Sequence, residues 1–344
     1  MPSIPAKQIT KEMLTSLSDR SRRVLSGRFG LASDGVRRTL DAIGKEYNIT
    51  RERIRQIENH ALALVRESDA YEMHIPSLDA LKRLVTDHGS VVSEDLFLQE
   101  LGKNDAERNH FAFLLTVGHQ FDNRREDNDF HSRWHTSEQL TGQVERALSA
   151  LYKSLDIDNL IPEDEFIQRF ATFLKQEGMK SRPEENILTH WLSISKRIGK
   201  NPLGEWGRVD SPHVHIKNTR DFAYLTIKRH GSPMHFTEVA KGITSLFTRD
   251  AHPATTHNEL IKDKRFVLVG RGLYALKEWG YAPGVVRDVI IGILKREGPL
   301  SRTDIIDRVK RERYVKDATI TVNLQNNSFT RTPAGKWDLR TNNA

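Results

Sequence analysis

The sequence predicts a mainly α protein, α with small β wings, organised as a string of small modules. Three observations lead there. The stretch Thr39 to Arg66, TLDAIGKEYNITRERIRQIENHALALVR, carries two helical apolar stripes separated by a turn residue. Beyond Pro76, a pattern of helix, tight turn, two helices and a strand pair ending near a tryptophan recurs with a period of about 60–75 residues. The composition, 37% hydrophobic and 29% charged, fits a soluble, helix-rich chain whose 344 residues favour more than one domain.

Residues 1–16 read as a short leader, a frayed segment or a helix. Leu17 to Phe29 reads as a helix with Asp19 near its start and Leu17, Val24, Leu25 and Phe29 as its apolar positions, and residues 32–35 read as a loop. Thr39 caps the next helix, whose inward residues are Leu40, Ile43 and Tyr47. Asn48 tolerates the left-handed turn conformation, and Thr50 caps the helix that follows. In that helix Ile54, Ile57, Ala61, Leu64 and Val65 form one apolar stripe. Opposite lie Glu52, Gln56 and Asn59, flanked by Arg51, Arg53, Arg55 and Arg66. A charged helix face is by default a solvated surface. Here the residue types also suit a DNA major groove: Arg donates twice to guanine, Gln pairs with adenine, and Glu accepts from the cytosine amino group.

The strings LSDRSRRVLSGRFGL from Leu17, RTLDAIG from Arg38 and ITRERIRQIE from Ile49 together resemble region 4 of sigma-70 family transcription initiation factors over residues 17–66. That resemblance implies roles for named residues. Arg51, Glu52, Arg55 and Gln56 read base edges of the −35 promoter element, while Arg28, Arg38, Thr39 and Arg53 touch the DNA backbone. It also implies a contact between the first helix with its loop and the flap of the RNA polymerase β subunit. Phe29 and Leu31 fit that contact, but core packing is the expected role of both.

The module 1–75 is followed by four units. Residues 76–136 read as helix from Leu78 to His88, a Gly89 turn, a further helix and a closing strand around 130–134. Residues 137–210 read as helices over 138–153, from 161 and over 184–196, closing near Trp206. These two units are degenerate, and their element order is that of a winged helix. In 211–282 the strings HGSPMHFTEVA from His230, PATTH from Pro253 and RFVLVGRGLYALKEW from Arg265 resemble a HARE-HTH winged-helix domain, as in the RNA polymerase delta subunit, over about 217–280. Pro253 suits a first helical turn, and Gly270 to Gly272 suits a hairpin tip. In 283–344, Ser301 and Asp304 make a capping box, Asp317 caps a helix over 318–324, and 329–339 read as a wing. The exposed last helix and wing of such units meet DNA or protein. The candidate contacts are Thr255, Thr256, His257, Asn258 and Arg271, with Lys316, Thr319, Asn323 and Arg331.

Charge supports nucleic acid at the ends of the chain. Lys and Arg outnumber Asp and Glu 13 to 10 over 1–75, 11 to 6 over 211–280 and 12 to 7 over 281–344, but fall behind, 17 to 23, over 76–210. The chain has no cysteine, which removes disulfides, thiol chemistry and Cys-based zinc sites. His213 and His215 would share one side of a strand, yet no third ligand lies near them in sequence, so no metal is assigned. No phosphate-binding Gly-rich loop, nucleophile elbow or H-E-x-x-H motif occurs, and the acidic run Glu163 to Glu165 favours a helix start over catalysis. No secretory signal or membrane-spanning run is present, so a cytoplasmic setting is expected, with no enzyme activity, cofactor or small-molecule substrate.

The expectation is a DNA-binding protein that reads a −35-like element and works with bacterial RNA polymerase in transcription initiation or its regulation. No counterpart of the aromatic-rich segment with which sigma factors open promoters is found. Two other readings remain: an adaptor on the polymerase that reads no DNA sequence, and a DNA-recognition subunit of a restriction or defence system.

Overall fold

The computed structural model describes residues 4–32, 34–281, 285–313 and 315–340. The boundary expected at 282/283 lies outside the described residues, as does Ser33 within the expected loop 32–35. The chain forms two compact units, 1–211 and 212–344.

The N-terminal unit begins with α1 (Ala6–Met13), a 3-10 turn (Leu14–Ser16), α2 (Asp19–Phe29), α3 (Leu40–Glu46), α4 (Arg51–Arg66) and α5 (Asp69–Met73). It continues with α6 (Ile75–Asp87), β1 (Val91–Ser93), α7 (Glu94–Leu101), α8 (Asp105–Val117), β2 (Asp122–Arg124) and β3 (Arg133–His135). The same order then repeats as α9 (Glu138–Lys153), β4 (Ile161–Pro162), α10 (Glu163–Gln176), α11 (Glu185–Leu192), β5 (Ile198–Lys200) and β6 (Glu205–Arg208). In the C-terminal unit it recurs as α12 (Thr219–His230), β7 (Met234–His235), α13 (Phe236–Phe247), α14 (Pro253–Lys262), β8 (Phe266–Gly270) and β9 (Leu273–Leu276). The fourth occurrence is α15 (Val286–Glu297), α16 (Arg302–Glu312), α17 (Asp317–Leu324), β10 (Phe329–Arg331) and β11 (Trp337–Leu339). The fold is mainly α with small β elements.

Each three-stranded sheet has its last strand in the middle: β1-β3-β2, β4-β6-β5 and β7-β9-β8, all antiparallel. In the fourth repeat an isolated bridge from Leu300 to Trp337 stands where the first strand would be. The strand between the first and second helices thus closes onto the final hairpin every time. Strands of two to five residues contribute few ladder bonds, so the helical cores hold each repeat together.

Several expectations needed correction. Of the two readings of the leader the helix holds: Ala6, Ile9, Thr10 and Met13 of α1 are buried, and α1 packs on α8. Asp19 stands at the start of α2 as expected, and Ser18 caps the helix, accepting from the Ser21 amide. On α4 the buried positions are Ile54, Ala61, Leu62 and Val65, and Leu64 is 37% exposed. The stripe drifts because 3.6 residues per turn carry position 64 off the face that position 54 defines, and α8 covers the neighbouring face. Asp317 is the first helical residue of α17; the cap position is Lys316, which forms no side-chain cap bond. His213 and His215 do not share a strand. His213 is buried and stacked on Tyr224 at 4.1 Å, while His215 faces out of a turn.

Within the N-terminal unit the first two repeats are knitted together. The Phe130 strand segment bridges Ser195, the His131 amide donates to Ile194 and the Lys196 amide to Asp129, while Arg133, almost fully buried, pairs with Glu145 of α9 at 2.6 Å. Gly89 marks the closest approach. Its φ is +90°, its carbonyl accepts from Trp191 Nε1 at 3.2 Å, and a Cβ there would sit 2.4 Å from Ile187 Cγ2. Gly89→Ala should therefore destabilise this unit by about 3 kcal/mol, from the left-handed backbone and overpacking together. Urea unfolding followed by circular dichroism measures it, and an unshifted midpoint would show that the junction is looser than described.

Candidate nucleic-acid interface

α3 and α4 meet through a turn built on Asn48, with φ +55°, and on the close approach of Gly44 to the Ile49 carbonyl, which accepts no side chain. Thr39 accepts from the Ala42 amide at 3.1 Å and Thr50 from the Arg53 amide at 3.2 Å, so both hydroxyls cap their helices as the sequence predicts. Val24, Ile43 and Ile54, with Leu40, Tyr47, Ile49 and Ile57 around them, form a small core shared by α2, α3 and α4. Farther along, Ala61, Leu62 and Val65 enter the larger core built from α1, α6 and α8. α4 is anchored at both ends.

Its opposite face is open to solvent. Arg51, Glu52, Arg53, Arg55, Gln56 and Asn59 are all exposed. Arg55 grips Glu52 in a fork, Nε to Oε2 at 2.9 Å and Nη2 to Oε1 at 2.7 Å, and Arg53 Nη1 donates to Gln56 Oε1 at 3.0 Å. The fork uses two of the five guanidinium N–H groups, which leaves three for another acceptor. It also holds the Glu52 carboxyl below the ordinary glutamate range and the Arg55 guanidinium above its ordinary value. Solvent-exposed ion pairs of this type are worth little singly, so a ligand displaces them at small cost.

The residues expected at the DNA backbone divide. Arg53 is exposed on α4, and Thr39 is exposed at the α3 cap. Arg38 is exposed but bonded to Glu46 at 3.0 Å and Asp34 at 3.2 Å. Arg28 is half-buried and turned inwards, with Nε 3.3 Å from Glu58 and Nη1 donating to the Arg38 carbonyl, so it braces α2 against α4. Arg66 leaves the polar face altogether. Its guanidinium donates to the carbonyls of Val117 at 2.9 Å and Thr116 at 2.8 Å, where a cation complements the C-terminal end of α8. Phe29 meets Phe113 edge-on at 5.4 Å, and Leu31 packs on the same core, the packing role expected for both.

Sequence reasoning missed Asn109. Its amide donates to the carbonyls of Gly30 and Gly35 and its oxygen accepts from Arg37 at 2.6 Å, so a side chain from α8 fixes the segment that leads into α3. No local pattern marks a partner more than seventy residues away.

In the C-terminal unit Thr255, Asn258 and the hairpin-tip Arg271 are exposed, as are Lys316, Thr319 and Arg331, whose guanidinium lies over Trp337. Thr256 is a correction: it is fully buried, its hydroxyl donating to the His252 carbonyl at 3.1 Å, because it faces the core side of α14. His257 is half-buried and stacked on Phe236 at 4.3 Å, and Asn323 turns its amide back onto the Thr319 carbonyl.

The family match falls on the segment that holds α2, α3 and α4. Residues 13–67 match the sigma-70 region 4 family. RNA polymerase sigma factor SigA of Clostridium acetobutylicum is 52% identical over 60 residues, 17% of this chain and 16% of that protein. RNA polymerase sigma factor RpoD of Helicobacter pylori, strain 26695, is 48% identical over 56 residues, 16% of this chain and 8% of that protein. The strain J99 counterpart gives the same identity over the same length. The chain thus spans about a sixth or less of the length of these relatives, and residues 13–67 are a sigma-70 region 4 domain.

The Glu52–Arg55 fork sets a pH response. Because the folded carboxyl titrates below its ordinary range, the fork is intact above the unfolded glutamate pKa and is lost as pH falls through the depressed folded value. Carboxyl-detected NMR should place the Glu52 midpoint below those of isolated glutamates, and Arg55→Ala should return it to them. A midpoint that ignores Arg55→Ala would refute the fork in solution.

Proposed function

We propose that this chain binds duplex DNA through α4, reads a −35-like promoter element and works with bacterial RNA polymerase in transcription initiation or its regulation. The observation that carries this reading is the exposed set Arg51, Glu52, Arg55 and Gln56 on a helix fixed at both ends, inside a region 4 domain. Arg51 and Arg55 have donors for guanine, Gln56 suits adenine, and Glu52 suits the cytosine amino group. Arg53, Arg38 and Thr39 hold the phosphates, with Arg38 exchanging Glu46 and Asp34 for the DNA backbone. The action is binding rather than catalysis, and the setting is the bacterial cytoplasm.

The four repeats are read as winged-helix modules, the third of them of the HARE-HTH kind. Their helix–strand–helix–helix–hairpin order and their central last strand support this. In the C-terminal unit Thr255, Asn258, Arg271, Lys316, Thr319 and Arg331 supply an exposed polar surface for DNA or protein. A second reading, an adaptor that grips the polymerase flap without reading sequence, draws support from Arg28 and Arg38, both engaged within the protein.

Fluorescence anisotropy with a −35-like duplex and a scrambled one separates the two. Arg55→Ala and Gln56→Ala should each cost about 1–3 kcal/mol on the preferred duplex alone. Arg53→Ala should weaken both duplexes alike and reduce the slope of log affinity against log salt by about one unit. Equal loss on both duplexes for Arg55→Ala would overturn sequence reading. Polymerase capture with no duplex affinity would establish the adaptor instead.

A further inference from the structure

The junction between the first and second repeats carries a cluster that the DNA-binding role does not use. His88 ends α6, Glu100 lies on α7 and His190 lies on α11, and their ligand atoms all fall within 4.8 Å of one another. No other set of three such groups is this close among the described residues. The three come from positions 102 residues apart in sequence, so spacing alone could not reveal them.

The hydrogen bonding within the cluster points to a cation. His88 Nδ1 lies 2.7 Å from the Leu84 carbonyl, which only accepts, so Nδ1 carries a proton. Nε2, the other ring nitrogen, faces the Glu100 carboxylate at 2.9 and 3.0 Å. A ring proton or a metal ion between Nε2 and the carboxylate satisfies both groups. A backbone carbonyl that fixes the ring tautomer is also the usual outer support of a metal-bound histidine. The His190 ring lies 4.8 Å from that of His88, and its Nδ1 is buried with no hydrogen-bond partner.

We propose that His88, Glu100 and His190 bind a single divalent zinc ion that clasps the first repeat to the second. Two imidazoles and a carboxylate suit zinc among the common divalent ions, and a tetrahedral ion leaves its fourth position to water. Zinc bonds of about 2.0–2.2 Å require ligand atoms nearer one another than 4.8 Å, so the ion draws α11 towards α7 by small side-chain rotations. The ion sits next to the Gly89–Trp191 contact, where α11 already packs against the start of the first sheet.

The test uses the full chain, stripped with a chelator and titrated with zinc against a chromophoric competitor. Cobalt(II) serves as a spectroscopic substitute. One tight equivalent is expected, with tetrahedral cobalt absorption and a rise in Tm on adding zinc. His190→Ala and Glu100→Gln should each weaken binding by more than about tenfold and abolish the Tm rise. Glu100 is exposed, so Glu100→Gln decides the matter even if His190→Ala fails to fold. Absence of a stoichiometric zinc, or equal binding in wild type and Glu100→Gln, would overturn the proposal and leave His88 and Glu100 as an ordinary ion pair.

Discussion

The N-terminal unit depends on how α4 divides its apolar side. Ile54 closes a small core with Val24 and Ile43, while Ala61, Leu62 and Val65 pass into a much larger one with α1, α6 and α8. A three-helix cluster as small as the first would be marginal alone. Continuing the same helix into the second core lends it the stability of the whole unit. The polar face of α4 is therefore held at a fixed rotation about the helix axis, which is what reading base edges demands.

The charges around α4 are arranged for exchange rather than for stability. The pairs of Arg38 with Asp34 and Glu46, and of Arg55 with Glu52, are exposed, and solvent screens them. Such pairs keep long side chains oriented while leaving them free to trade one anion for another. Arg28 and Arg66 behave differently. Each is drawn inwards, onto Glu58 or onto the last carbonyls of α8, and each fixes the position of α4 instead of its chemistry. The arginines thus divide into exposed residues held by exchangeable pairs and bracing residues turned inwards.

That division explains what was legible beforehand. Thr39, Asn48 and Thr50 act through bonds within a few residues, so cap and turn chemistry reveals them directly. The long helices α4 and α9 carry full periods and were placed to the residue or nearly so. Strands of two or three residues leave no period to detect, and β1, β4 and β7, which lie between the first two helices of their repeats, were not anticipated. Leu62 against Leu64, and Thr256 against Thr255, are decisions between adjacent faces that depend on which neighbour covers the helix. Asn109 and the His88, Glu100 and His190 cluster are farther still from local view, since each joins elements brought together only by the finished fold.

The repeats show how loosely a shared fold binds its surface. Three sheets place the last strand centrally although their strands have little sequence in common, because the only requirement is that one short strand after the first helix meet the closing hairpin. Buried positions on three helices satisfy most of the energetics, and the outward residues are left unconstrained. Over 76–210 those residues are net acidic and over 211–280 net basic, on the same scaffold. An acidic surface repels phosphate and a basic one attracts it. Repetition of the fold therefore does not repeat the electrostatic surface: charge changes sign along the chain while the topology stays the same.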